Sequence, residues 1–560
     1  MTRHIAAAVL AALLLLCFQC AAAAADTTLS LAFADDPETL FLSRKKGNDS
    51  LLCVPGNRDL SRAILSMPGQ DILYLGDEKA AVSAGEEVDL SRFAGRRIQV
   101  ADAKGKRLAQ LQLMQGSLVL SLCLTVDAKE MKAVNKSKEN VITEGQALLT
   151  EADGTVAYRG LLSQLKGRGN STFAYSKKPY ELKLPDAVSV AGIPAGKTWV
   201  LLANYADISL LRNQIVLDTA REIGLPFAVK CVQTDLWING EYQGLYLMTE
   251  KVQIKKNRIA IRNLEKETEK LNPEELNTYK KFKQTWGGLK EIRGYRLPSE
   301  PEDVTGGYIF KIEKLHRFGY TSKPGFETEG RLCIRIVEPT CPGEAEVKYL
   351  AERVADLHRA LISKDGISEE TGKDFREYID LESFALKYLL EEWCKNFDFL
   401  GGSQYMYKDS DETDPLIYAG PAWDYDLCFG NMEERGIQAE GNYMTSQSRR
   451  PGNLNWLLTT HEAFTQKAQE LWNTRFRPAA AILLGEENGD RDRESHVLKS
   501  LDEYAEAIRS SAEMNFERWG TNDQASKRAG GSFDNAVAYL KKWIRSRVDF
   551  MDSENTRLIQ

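Results

Sequence analysis

From residue 27 to about 115 the chain sets short apolar runs between turn residues. Later, apolar side chains recur at steps of three and four. The first pattern opens at residue 27, where "LSLAF", "SLLCV", "DILYLG", "RRIQVAD" and "AQLQLM" are separated by "DDP", "PGN", "PGQ" and "AKGK". Short strands at that spacing predict a small all-β, sandwich-like domain over 26–116. From 117 onward strands and helices mix, which makes the class α+β. "SLVLSLCLTV" reads as a strand, "GQALLTEADGTVAYRG" as a hairpin, "KKPYELKL" as an alternating strand and "WVLLANY" as a buried one. Ile208, Leu211, Ile215, Ala220 and Ile223 form a helical stripe, with Asp207 or Ser209 as cap and Gly224 as stop. "TDLWINGEYQGLYLMTEKV" carries the Asn239-Gly240 pair of a tight hairpin. Residues 264–305 are charged and poor in apolar anchors, and read as an insertion. Val347, Leu350, Val354, Leu357 and Leu361 give an amphipathic helix. A further helix spans about 380–395, and Phe533, Val537, Leu540, Ile544 and Val548 predict a last one.

The β pattern has a preface. Arg3 and His4 precede an apolar run from Ile5 to Phe18, and Ala23 and Ala25 fit a small-x-small cleavage site. This reads as a signal peptide over 1–25, cleaved after Ala25, and predicts a periplasmic, cell-surface or secreted protein. A retained anchor and a lipoprotein are the alternatives; the run is short for a span, and small residues are missing ahead of Cys17 and Cys20. No later stretch is apolar enough to cross a membrane. The net charge of −7 becomes −8 without Arg3, which argues against a nucleic-acid partner. Seven scattered cysteines remain, an odd number that makes no dense disulfide framework. A Cys333–Cys341 bridge is conceivable, with buried thiols the plainer reading. Neither HExxH nor CxxC occurs, so zinc has no support.

Four stretches could carry chemistry. In "LKGRGNSTF", Gly167 and Gly169 flank Arg168, and Asn170, Ser171 and Thr172 follow; glycines and donors of this kind can cradle an anion, or simply make a turn. In "SKKPYELKL", alternation puts Lys178 on the face of Tyr180, Leu182 and Leu184, where a lysine can grip phosphates or guard a sheet edge. Glu250 closes the apolar strand "GLYLMTEKV" and needs water or a cation such as a lysine. The last stretch is "CKNFDFLGGSQYMYKD" followed by "YAGPAWDYDLCFGN". Asp398 follows a helix in a glycine-rich loop. Asp424 and Asp426, two apart on what should be the strand paired with "SQYMYKD", would point the same way. Like charges that close repel unless a cation lies between them, so a divalent metal ion such as Mg²⁺ or Mn²⁺ is expected. Turn capping by each aspartate is the structural alternative, and a two-carboxylate glycosidase fits one-face aspartates less well.

Together these stretches resemble the CotH kinase family, the spore-coat-protein-H-like atypical kinases, over roughly 118–555. The resemblance rests on "GRGNST…KKPYELKL", "LLANYADISLLRNQIVLDTAREIG", "WINGEYQGLYLMTEKV", "GGYIFKIEK", "KNFDF…SQYMYKD" and "GPAWDYDLCFGN", in that order. It implies a kinase-like fold, with a β-rich N-lobe and a helical C-lobe over 117–555, and transfer of phosphate from ATP to protein serine or threonine. It implies Lys178 as the phosphate-gripping lysine, Glu250 as its ion-pair partner and Asp398 as the aspartate that orients the acceptor hydroxyl. Asp424 would be the metal-binding aspartate with Asp426 beside it, and Arg168, Gly169, Asn170 and Ser171 would lie near the phosphates of ATP. Arg212 and Asn213 match a family "RN" pair without a derived role. One departure stands out: where many relatives place an asparagine soon after the catalytic aspartate, this chain reads "FLGGSQ", so Ser403 or Gln404 would complete the metal shell. A catalytically weak surface, coat-assembly or adhesion module, binding coat or surface proteins through the β domain, is the alternative function.

Overall fold

The computed structural model describes residues 28–328, 331–399, 402–432, 437–444, 453–486, 497–521 and 531–553. The predicted signal peptide lies outside them. Among the described residues, no helix is long and apolar enough to cross a membrane. The chain forms two compact units, each considered over its described residues. One takes Met1–Tyr205, Val232–Thr249 and Ala505–Asn522; the other takes Ala206–Cys231, Glu250–Tyr504 and Asp523–Gln560.

The first unit is built on a thirteen-stranded and a six-stranded sheet. The main path of the larger sheet runs Val141–Ile142, Gln164–Gly167, Tyr180–Val190, Ile193–Leu202, Glu241–Glu250, Cys231–Ile238, Leu120–Thr125, Gln146–Thr150, Val156–Leu161. The hairpin turns are where turn chemistry puts them: Asn239 and Gly240 both have positive φ, at 51° and 80°. Alternation sends Leu122, Leu124, Leu182, Leu184, Trp199, Leu201 and Met248 into one core. Strands from before residue 116 also enter this sheet, through Asp36–Leu42, which pairs with the strand Glu241–Glu250 at Leu42. Trp237 reaches the core of the earlier strands and donates its indole N–H to the Cys53 carbonyl at 3.1 Å.

The second unit carries a seven-stranded antiparallel sheet in the order Lys281–Trp286, Leu289–Tyr295, Gly325–Glu327, Cys333–Glu338, Tyr308–Ile312, Gln404–Lys408, Ile417–Ala419. The stretch expected to be an insertion supplies its edge hairpin; Phe282, Leu289 and Ile292 are the buried anchors. Among the helices, Glu344–Ile362 follows the predicted stripe. Leu381–Cys394 is buried from Ser383 to its end, with Lys387, Glu391 and Glu392 among the buried residues. Arg212–Glu222 starts later than expected. Asp207 does not cap it in the usual way; its carboxylate reaches forward to the backbone N–H of Arg212 at 2.9 Å. All seven described cysteines are free thiols, Cys333 and Cys341 included.

Candidate metal and phosphoryl-transfer site

Three segments of the second unit meet beyond the last two strands of its sheet, Gln404–Lys408 and Ile417–Ala419. The helix Leu381–Cys394 ends on Lys395, in left-handed backbone at φ 46°, and releases the chain into "NFDF". Lys395 is held there by donating to the Gln438 and Glu440 carbonyls at 2.7 and 2.5 Å. The strand Gln404–Lys408 leads away from Ser403, and its partner Ile417–Ala419 leads back. This corrects the sequence expectation for Asp424 and Asp426. Ladder pairing ends at Ala419, because Gly420 and Pro421 follow and proline has no N–H to give. The two aspartates stand in the loop beyond. Asp424 takes a left-handed conformation, φ 75°, which a non-glycine residue adopts only when its surroundings hold it there. The result is nevertheless convergence: one carboxylate oxygen from each of Asp398, Asp424 and Asp426 lies within 4.8 Å of the others.

The holding groups are identifiable. Arg212, buried at 3% exposure, pairs with the fully buried Asp207. It also donates from Nε to the Cys428 carbonyl at 2.9 Å and from Nη2 to the Phe429 carbonyl at 3.3 Å. Asn213 accepts the Tyr425 backbone N–H at 2.7 Å. The "RN" pair thus clamps the aspartate loop on both sides of Asp426. Asn431 donates to the Asp426 carbonyl at 2.7 Å and to Ala206 at 2.9 Å. Asn396 ties the other segment in, donating to the Asp424 carbonyl at 3.0 Å while its Oδ1 accepts the Asp398 N–H at 3.1 Å. Beneath lies a buried Lys387–Glu391–Tyr425 triad; Tyr425 donates to Glu391 at 2.7 Å and accepts from Lys387 at 2.8 Å. Ser403 donates its hydroxyl to Asp424 Oδ2 at 3.2 Å. Gln404 and Asn455 exchange two amide hydrogen bonds at 3.0 and 3.1 Å. Asn396, Asn431 and Lys311 were not identified from sequence. The two asparagines lie inside the quoted motifs, but nothing about an asparagine in a loop says which carbonyl it will find.

Electrostatics agree with a cation-binding role. Burial, and then the charges of Asp424, Asp398 and Asp207, push the Asp426 carboxyl well above the usual carboxylate range. Burial and the Asp424 charge bring Asp398 up to about 6, against the opposing field of Lys314 and Arg317. Burial lowers Lys311 to about 8, while it donates to the Gly402 carbonyl at 2.5 Å. Three carboxylates of this spacing suit a hard divalent cation with oxygen ligands. Asp424, Asp426 and Asp398 would hold it, with the Ser403 hydroxyl beside them.

The remaining predicted residues lie elsewhere. Lys178 and the loop "GRGNST" belong to the first unit. The strand begins only at Tyr180, so alternation does not govern Lys178. Its ammonium donates to the Phe173 carbonyl at 2.7 Å. Lys177, one residue earlier, is the buried lysine, bound to the Leu245 carbonyl and to Asn515 Oδ1 at 2.5 and 2.8 Å; burial brings it down to about 7. In the loop, Phe173 packs onto Gly167, Gly169 needs its φ of 85°, and Asn170 and Ser171 are exposed. The Arg168 backbone N–H donates to the Pro179 carbonyl at 3.1 Å. Glu250, in the second unit, is ion-paired with Arg258 at 2.6 Å and accepts the Lys230 N–H at 2.8 Å. Lys178 thus meets a backbone carbonyl, and Glu250 an arginine. Glu250 and Arg258 instead line a small cleft with Phe227, Lys230, Val252 and Pro421.

With the geometry in hand, comparison gives the family. The profile described as CotH kinase protein matches residues 165–551. The chain belongs to the CotH kinase family. The match spans more than half of the 560 residues and includes every segment that builds the aspartate site. It begins after the hairpin near 150 and leaves the leading β strands outside. No curated protein matches the chain.

Proposed function

We propose that this CotH-family chain is a secreted phosphotransferase that moves the γ-phosphate of ATP to serine or threonine hydroxyls of a protein. The observation that carries this reading is the convergence of Asp398, Asp424 and Asp426, whose oxygens lie within 4.8 Å of one another in the family's own motifs. Asp424 and Asp426 hold Mg²⁺ or Mn²⁺, which when bound offsets phosphate charge. Asp398, in the same cluster, stands where it can take the acceptor hydroxyl proton. Ser403 orients Asp424 through its hydroxyl. Lys178 and the loop of Arg168, Gly169, Asn170 and Ser171 serve the phosphates. Asn213 and Arg212 position the loop that carries Asp426.

One observation favours slow turnover, and with it a coat-assembly or surface role. Gln404 is committed to Asn455, so a hydroxyl is the neutral oxygen left near Asp424. The test is incubation of the mature chain with γ-labelled ATP and Mn²⁺ or Mg²⁺, beside Asp398→Asn and Asp424→Asn. Label on the chain or on a serine-containing protein, lost in both variants, supports the proposal. Metal-dependent ATP binding without transfer supports the module reading. Neither binding nor transfer overturns the phosphotransferase reading and leaves the module that binds partners through its β domain.

A further inference from the structure

The segment "KLHRFGYTSK", Lys314 to Lys323, carries three fixed cations and a histidine and has no acidic residue, in a chain whose net charge is −7. It holds the short helix Leu315–Tyr320. Phe318 anchors it at 2% exposure, with the Arg293 guanidinium 4.0 Å from its ring. Arg293 also donates to the Phe318 and Thr321 carbonyls at 2.9 and 2.5 Å. The segment is thereby fixed, while its charges face outward: Lys314, His316 and Lys323 are exposed, and Tyr320 is 88% exposed.

This surface borders the reacting end of the site. The Arg317 guanidinium lies 3.3 Å from where a Cβ on Gly402 would stand, one residue before Ser403. Lys314 and Arg317 are also the cations whose field reaches Asp398. Arg317 shares the buried Glu313 with Arg335, at 3.5 and 4.0 Å, so the local balance stays positive.

We propose that Lys314–Lys323 is the docking surface for the acceptor, and that the acceptor hydroxyl is flanked by aspartates or glutamates. This rests on the phosphotransferase reading for its destination, though not for its charge. A chain entering beside Asp398 meets Lys314 and Arg317, and the same segment continues through exposed Tyr320 and Lys323. Electrostatic complementarity of this kind sets partner choice and encounter rate more than raw affinity.

The test uses the full mature chain and three fluorescein-labelled peptides with one serine each, flanked by Asp/Glu, by Lys/Arg or by Gly/Gln. Anisotropy should show the acidic peptide binding about tenfold tighter than the neutral one at 50 mM salt. The preference should fade at 1 M salt, where screening falls to about 3 Å. Lys314→Glu with Lys323→Glu, both on exposed residues, should remove about tenfold of the affinity. Arg317→Gln should act the same way with a smaller loss. Equal binding of acidic and neutral peptides, or an unchanged double variant, overturns the proposal. So does an increase in the KM for ATP with peptide binding intact, because the cations would then serve the nucleotide. Acidic-peptide binding without transfer keeps the surface and removes the phosphotransferase reading. Transfer favouring the basic peptide does the reverse.

Discussion

Asp426→Asn offers a test with an unusual sign. Replacing a buried polar residue normally lowers stability. Here the residue is a carboxylate packed against like charges. Unit charges 4.8 Å apart repel by about 3.5 kcal/mol at an effective dielectric of 20. Asp426 feels Asp424, Asp398 and Asp207, and relieves part of the strain by binding a proton. Its amide counterpart keeps the shape and drops the charge. Without divalent ions at pH 7 we expect the variant to be more stable than wild type by about 1–3 kcal/mol. That corresponds to a midpoint higher by about 1–3 °C. The assay is thermal unfolding in EDTA and then with Mn²⁺. Wild type should gain about 2.7 kcal/mol at a hundredfold excess over Kd, and the variant much less. A variant destabilised in EDTA, together with an undiminished Mn²⁺ response, would refute the reasoning.

Asn213→Ala should cost about 1–3 kcal/mol by leaving the Tyr425 N–H without its acceptor. It should also weaken Mn²⁺ binding about 10–100-fold, as calorimetry would show. Gly430→Ala should destabilise by about 2–4 kcal/mol, since Gly430 has φ 75° and a Cβ would stand 2.4 Å from the Tyr539 hydroxyl; urea unfolding measures this. For Asp398, the folded value of about 6 exceeds the ordinary 3.8, so the folded chain binds the proton more tightly than the unfolded chain. The Asp398 contribution to metal-free stability should therefore be lost as pH rises from about 4 to 6. Asp398→Asn should flatten that slope in denaturant titrations across the range.

Much of this was legible in the pattern of the chain. Strand alternation and the Asn239-Gly240 turn gave the hairpins of the first unit, and the 347–361 stripe gave its helix. Asp424 and Asp426 were found because like charges two residues apart ask for a reason, and Asp398 through its glycine-rich loop and the family resemblance. Their setting was not legible. A two-residue period assumes a strand, and Gly420-Pro421 had already ended one, so the carboxylates converge through the left-handed turn at Asp424. Alternation misassigned Lys178 for the same cause, because it lies before Tyr180 opens the strand, and Lys177 takes the buried place. The charged stretch 264–305 was read as an insertion since its apolar residues are few; Phe282, Leu289 and Ile292 suffice to seat a hairpin at a sheet edge. The clamp by Arg212 and Asn213 spans more than two hundred residues of sequence, and no local pattern encodes which backbone groups they meet.

The central claim is that Asp398, Asp424 and Asp426 form one divalent-cation site. Titrating Mn²⁺ into the mature chain and following the electron paramagnetic resonance of the free ion tests it most directly. The account predicts one saturable site per chain that is lost in Asp424→Asn and restored by no other carboxylate. Equal Mn²⁺ uptake by wild type and Asp424→Asn, or none by either, would contradict it.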